Sequence, residues 1–203
     1  MKEYVIEKNL FLKKNVSAFF HTDYTGYKEI KNPDYLNVLK NTFDNDSDEN
    51  LENAYKCLKD ILRQELPKIF KIYDKDNLKV CVVPRAKSIE KYSNRQLLFL
   101  KAVKDVVDEY NFFQDGTNCI ERYIDTKTTH LSKSKKINNN GEMPYPGITK
   151  DTCKISSSVQ GKDILLIDDI YTKEVNIDED AIQSLLDMGA KSIIFYSVGK
   201  TVK

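Results

Sequence analysis

Apolar positions along the chain fall into two kinds of pattern, unbroken runs and helical stripes. At Ile164-Leu165-Leu166-Ile167 four apolar residues follow one another without a polar break. Such a run marks a strand buried on both faces, as in a parallel sheet. Asp168 and Asp169 end it, and Ile170-Tyr171-Thr172 follow. Ala181, Ile182, Leu185 and Leu186 then recur at helical spacing and predict a helix from about Ile177 to Met188, with Gly189 as its C-cap. Asn176 and Glu179 predict a capping box at its start. Ser192–Val198 reads as a last strand. Strand, helix and strand in this order predict a right-handed crossover with parallel strands.

The same patterns recur upstream. Leu51, Ala54, Tyr55, Leu58, Leu62, Leu66 and Ile69 predict a helix from about Glu49 to Phe70, which Pro67 should end or kink near Leu66. Leu78–Val83 reads as a second buried strand. Ser93 and Gln96 predict a capping box opening a helix from Asn94 to about Tyr110, with Leu97, Leu98, Val103, Val106, Val107 and Tyr110 as its stripe. Residues 4–12 fit an edge strand, 118–124 a third strand, and 152–159 a short one. Phe19, Phe20, Tyr24 and Tyr27 crowd residues 16–30 and are expected to pack a small subdomain. The acidic run 44–50 lacks the Gly and distal Glu of a calcium loop and reads as a solvated lead-in to a helix. Between Asp125 and about Lys150 no periodicity holds; Lys127, His130, Lys133, Lys135 and Lys136 fall there. A lid over a site and a plain insertion both fit such a stretch.

These elements add up to one α/β domain over residues 1–203, a mainly parallel twisted sheet flanked by helices, with residues 1–76 as an N-terminal cap or hood on a core at 77–203. The 203 residues suffice for a sizeable core. A formal net charge of +1 argues against a broad basic surface for nucleic acid. No apolar run reaches membrane-spanning length and Met-Lys-Glu-Tyr starts no signal-peptide core, so no membrane partner and a cytoplasmic location are expected. Cys57, Cys81, Cys119 and Cys153 are scattered, without the paired spacing of a zinc site, and read as buried thiols in a reducing compartment.

Candidate chemistry concentrates at strand ends. Two adjacent carboxylates are costly to bury, so Asp168 and Asp169 belong at the C-terminal mouth of their strand, where α/β sheets bind ligands. Arg85 and Lys87, just after the Leu78–Val83 strand, fit either an anion site or a plain turn at Pro84. Gly161-Lys162 lacks the glycine-rich run of a phosphate-binding loop. A phosphorelay receiver places its acid pair on its first strand, with a further Asp some forty residues on; only 34 residues follow Asp169 here.

The segment Ile164–Thr172 resembles the PRPP (phosphoribosyl pyrophosphate) motif of the type I phosphoribosyltransferases: four apolar residues, two acids, two apolar residues, then a Thr-Thr-Gly-x-Thr loop. Val83-Pro84-Arg85, followed by the helix start Ser93-Asn94-Arg95-Gln96, is similar to the pyrophosphate-loop region of ComF-type and amidophosphoribosyltransferase-like proteins. The resemblance implies a type I phosphoribosyltransferase-like core and a Mg2+-dependent pentosyltransferase. Its donor would be PRPP or a related ribosyl phosphate, with Mg2+ held mainly by ligand oxygens and water. Asp168 and Asp169 would take the ribose hydroxyls and act in catalysis, Arg85 and Lys87 would face the pyrophosphate, and Thr172, Lys173 and Asn176 would surround the 5′-phosphate. The chain departs from the motif at Lys173, Glu174 and Asn176, and a carboxylate at the Gly position opposes a phosphate. A second expectation therefore stands beside the enzyme: a phosphoribosyltransferase fold that has lost transfer chemistry and serves as a nucleotide-sensing or partner-binding module. The acceptor, a homodimer and an operon-encoded protein partner all stay open.

Overall fold

The computed structural model describes residues 1–25, 32–128, 141 and 148–202. Tyr27, His130, Lys133, Lys135 and Lys136, with most of the expected lid, lie outside the described residues. Six strands form one sheet: β1 (Lys2–Ile6), β2 (Val16–Tyr24), β3 (Leu78–Val82), β4 (Phe113–Asp115), β7 (Asp163–Tyr171) and β8 (Ser192–Thr201), in the order β1-β2-β8-β7-β3-β4. Every pairing is parallel except that of β1 with β2. A separate antiparallel pair joins β5 (Ile120–Arg122) to β6 (Cys153–Ile155).

β7 lies at the centre because it is apolar on both faces. Ile164, Leu165, Leu166 and Ile167 are all fully buried. Leu165 and Ile167 join the core under α1 (Asp34–Lys40), α2 (Asp48–Tyr73) and α3 (Leu98–Val107). Ile164 and Leu166 join the core under α5 (Ile177–Asp187), against which the short α4 (Ile148–Thr152) lies. Helices thus cover both faces of a mostly parallel sheet, the arrangement its continuous apolar strands require.

Residues 1–76, expected as a cap, are built into this sheet and its core. β2 pairs with β8, and Leu58, Leu62 and Leu66 of α2 share one core with Leu165, Ile167 and Tyr196. β1 takes the expected edge position but spans Lys2–Ile6, starting two residues before and ending six residues short of the 4–12 its pattern suggested. Pro67 neither ends nor breaks α2, which runs on to Tyr73. Pro67 has no N–H for the carbonyl of Arg63. The Tyr110 hydroxyl donates to that carbonyl instead, at 3.4 Å. The Ser93–Gln96 capping box forms, but it opens a 3-10 turn, Asn94–Leu97, that leads into α3.

One buried charge ties the two ends of the fold together. Glu65 of α2 is 5% exposed. Its Oε1 takes His21 Nδ1 at 2.9 Å and the α-amino group of Met1 at 3.1 Å, and its Oε2 accepts from Tyr196 Oη at 2.7 Å. Burial alone would raise the Glu65 pKa, but the bonds from His21, Tyr196 and the α-amino group outweigh it and lower it to about 2. The depressed value stabilises the fold above the ordinary carboxylate range. That stability should drain away as pH falls from about 4.5 towards 2. Glu65→Gln should lower stability at pH 7 by about 3 kcal/mol and flatten this acid limb, measured by urea unfolding at a series of pH values.

Candidate functional site

The sheet reverses its winding between two of its strands. From β3 the chain passes through α3 to β4 on one side, and from β7 through α5 to β8 on the other. α3 and α5 lie on opposite faces. β3 and β7 are neighbours, with Val82 opposite Ile167 and the Val83 N–H donating to the Ile167 carbonyl at 2.9 Å. Past their C-terminal ends lies the crevice where open α/β sheets bind ligands. Asp168 and Asp169 come from one strand and Arg85 and Lys87 from the loop after the other, so the four sequence-predicted residues meet at one edge.

The two acids diverge. Asp169 is half-exposed and lies 3.7 Å from Nζ of Lys40, at the end of α1. Asp168 turns towards α5, where Asp178 is 4% exposed and donates a hydrogen bond to it. Burial, and then the charge of Asp169, push the Asp168 pKa up to about 7. Burial, and then Asp168 itself, hold Asp178 well above the ordinary carboxylate range. The two carboxyls therefore share a proton and titrate as a pair. Ser197, opposite Asp168 on β8, is fully buried beside them.

Arg85 does not stand free at this edge. Its guanidinium donates to the carbonyls of Gln96 at 2.5 Å and Lys40 at 2.7 Å, and it stacks over the Tyr92 ring at 4.4 Å. Gln96 Nε2 donates to the next carbonyls, Asn41 and Thr42, at 3.1 and 3.2 Å. Arg85 and Gln96 thus bind the C-terminal end of α1 and fix the backbone that carries Lys40. Lys87 donates from Nζ to the Thr126 carbonyl at 2.9 Å, and burial lowers its pKa.

The loop after β7 closes a turn, with the Val175 N–H on the Thr172 carbonyl at 3.0 Å. The Thr172 and Thr201 hydroxyls are bonded at 2.7 Å. Lys173 and Glu174 are both exposed, and Lys173 lies 3.4 Å from Glu7. The expected Asn176–Glu179 capping box does not form. Asn176 adopts the left-handed region at φ 57°, and its Oδ1 accepts from Asn9 Nδ2 at 3.0 Å. Glu179 is buried and accepts from the Tyr171 hydroxyl at 2.7 Å. Asp180 is buried too and accepts from the Thr149 N–H at 2.6 Å. Three carboxyls therefore lie inside the first turn of α5, at the positive end of its dipole.

A cavity of about 350 Å³ opens beside this edge. Its walls include Val83, Arg85, Lys87, Tyr92, Phe99 and Arg122, but neither acid of the pair. It therefore adjoins the acid pair without containing it.

Compared with known proteins, the chain matches no family model, and no curated protein is significantly similar to it. No helix among the described residues is long and apolar enough to cross a membrane.

Lys40, Asp178 and Arg122 belong to this region and carry no local signal in the sequence. Lys40 reaches Asp169 across 129 positions of chain, a partnership only the tertiary fold creates. Asp178 reads as a surface charge at a helix start, yet it is buried against Asp168.

A raised carboxyl pKa favours folding below the ordinary carboxylate range, and that contribution is lost as pH rises through the folded value. For the Asp168–Asp178 pair the loss runs from the ordinary carboxylate range, near pH 4, up to about pH 7. Asp178→Asn keeps a donor for Asp168 and removes one titrating group. At pH 8 it should raise stability by about 1 kcal/mol, or ~2–4 °C in Tm, with little change at about pH 3.5, below the ordinary carboxylate range, read by thermal melts at both pH values.

Proposed function

We propose that the protein is phosphoribosyltransferase-like and binds PRPP, or a related ribosyl phosphate or nucleotide, at the shared edge of β3 and β7, where it transfers or releases the phosphoribosyl group. The observation that carries this reading is the acid pair itself, at the C-terminal end of the central parallel strand and beside the winding reversal. Asp169, half-exposed, accepts from a ribose hydroxyl, and Asp168 accepts from the neighbouring one when ionised. Their charge also favours the positive character that a sugar ring gains as its leaving group departs. Lys40, 3.7 Å away, orients Asp169.

The hard oxygen donors of this edge suit Mg2+, with Asp169 the more exposed of the two acids. Bound mainly through ligand oxygens and water, Mg2+ would neutralise the pyrophosphate. Glu174 points into solvent, which removes the close repulsion that its place in the loop threatened.

A second reading keeps the binding and drops the transfer: a nucleotide-sensing or partner-binding module. It is favoured by the engagement of Arg85 and Lys87, whose donors are spent on backbone carbonyls rather than held ready for a pyrophosphate.

Calorimetric titration with PRPP, with and without Mg2+, tests the first reading. Micromolar, Mg2+-dependent binding that strengthens as pH rises through 7, where Asp168 ionises, is the expected result. Asp169→Asn should weaken binding by about 10- to 100-fold with an unchanged circular dichroism spectrum, the loss of one charge-assisted hydrogen bond. Binding of nucleosides or nucleotides without PRPP binding, or PRPP binding with no pyrophosphate release, moves the conclusion to the module. Failure of all these ligands to bind overturns both.

A further inference from the structure

The cavity beside β3 has a composition that selects its occupant. Most of its wall is apolar, from Val83, Ile89, Leu97, Phe99 and Ile120. Against this wall lies the guanidinium of Arg122, on β5, a residue only 7% exposed. Its Nε donates to the Arg85 carbonyl at 2.6 Å and one Nη to the Thr152 hydroxyl at 2.7 Å. The other Nη donates to no group among the described residues, and no carboxylate there forms an ion pair with the guanidinium. Burial lowers the pKa of Arg122, and that of Lys87 further along the wall. Glu121, on the same wall, is exposed to water.

Asp125 and Asp180 act on the guanidinium through space without forming an ion pair; a buried cation so weakly compensated is costly, and an open donor edge beside a cavity is where an anion recovers that cost. The volume falls at the small end of the range of ligand pockets, about 300–1,000 Å³. We infer that this cavity binds a small, flat, apolar molecule carrying one anionic group, with the anion on the free edge of Arg122 and the ring body against Leu97 and Phe99. The site is separate from the acid pair, and its existence does not depend on the ribosyl reading.

Anilinonaphthalene sulfonate, an aromatic anion, and the uncharged N-phenyl-1-naphthylamine serve as probes in fluorescence titrations of the intact chain. The expected result is saturable one-to-one binding, at least tenfold tighter for the anion. Arg122→Gln should weaken the anion at least tenfold and leave the neutral probe unchanged. Leu97→Trp, which fills the cavity from a half-buried position, should abolish both. Should Arg122→Gln fail to fold, Ile89→Asp at the exposed rim replaces it and should weaken the anion at least threefold. Equal affinity for the two probes, no saturable binding, or anion binding that survives Leu97→Trp or is unaltered by the charge variant would each overturn the assignment.

Discussion

The rest of the structure depends on burying one strand on both sides. Ile164–Ile167 have no exposed surface, and their burial is worth on the order of 8 kcal/mol, an upper figure because an unfolded chain is already partly collapsed. That burial requires β3 and β8 as hydrogen-bonded neighbours and helices above and below. It also dictates where polarity is allowed. Nothing charged fits along Ile164–Ile167, so the carboxylates of β7 lie at its two ends, Asp163 against Lys75 and Lys191 and the acid pair where the flanking helices stop covering the strand. The position of the candidate site follows from the packing of the strand that leads to it.

At that end the two adjacent acids meet different conditions. Asp169 has water and Lys40; Asp168 has α5 and the protonated Asp178. Asp168 changes state near neutrality while Asp169 faces solvent and a cation, a division of roles set by environment rather than residue type. Arg85 acts one step removed. By holding the carbonyl of Lys40 it fixes the helix end from which Lys40 reaches Asp169, so its charge supports the geometry of the acids more directly than it faces solvent.

Much of this was legible in the chain wherever signals were local. β7, α5 and β8 lie within a few residues of their patterns, because uninterrupted apolar runs and a helical stripe have few other solutions. The Ser93–Gln96 box was readable because both partners lie three positions apart. β2 was not read, since Phe19, Phe20 and Tyr24 read as a cluster of aromatics and only pairing with β8 makes them a strand. Pro67 misled because the donor that rescues its helix, Tyr110, lies 43 residues away. The α5 cap misled for a similar reason: Asn176 has a better partner in Asn9, and Glu179 in Tyr171. The cavity had no sequence signature, as its walls come from segments between β3 and β5 that converge only in the fold.

The departure of the loop after β7 from the phosphoribosyltransferase pattern takes on a physical sense in this setting. The loop's own acid, Glu174, turns outward and does little harm. The stronger opposition to a phosphate comes from beneath, where Asp178, Glu179 and Asp180 already occupy the positive end of the α5 dipole. Two of these acids are held by bonds from Tyr171 and Thr149, and the third by the proton it shares with Asp168. A phosphate arriving at this turn meets a dipole already compensated, at a distance where each residual charge costs about 1 kcal/mol in water and about 4 in partly buried surroundings. The proton shared by Asp168 and Asp178 removes one of those charges. Affinity for an anion at the loop and the charge state of the sugar-facing acid are thereby coupled through α5: protonation that eases the phosphate weakens Asp168 as an acceptor, and ionisation that restores the acceptor opposes the phosphate.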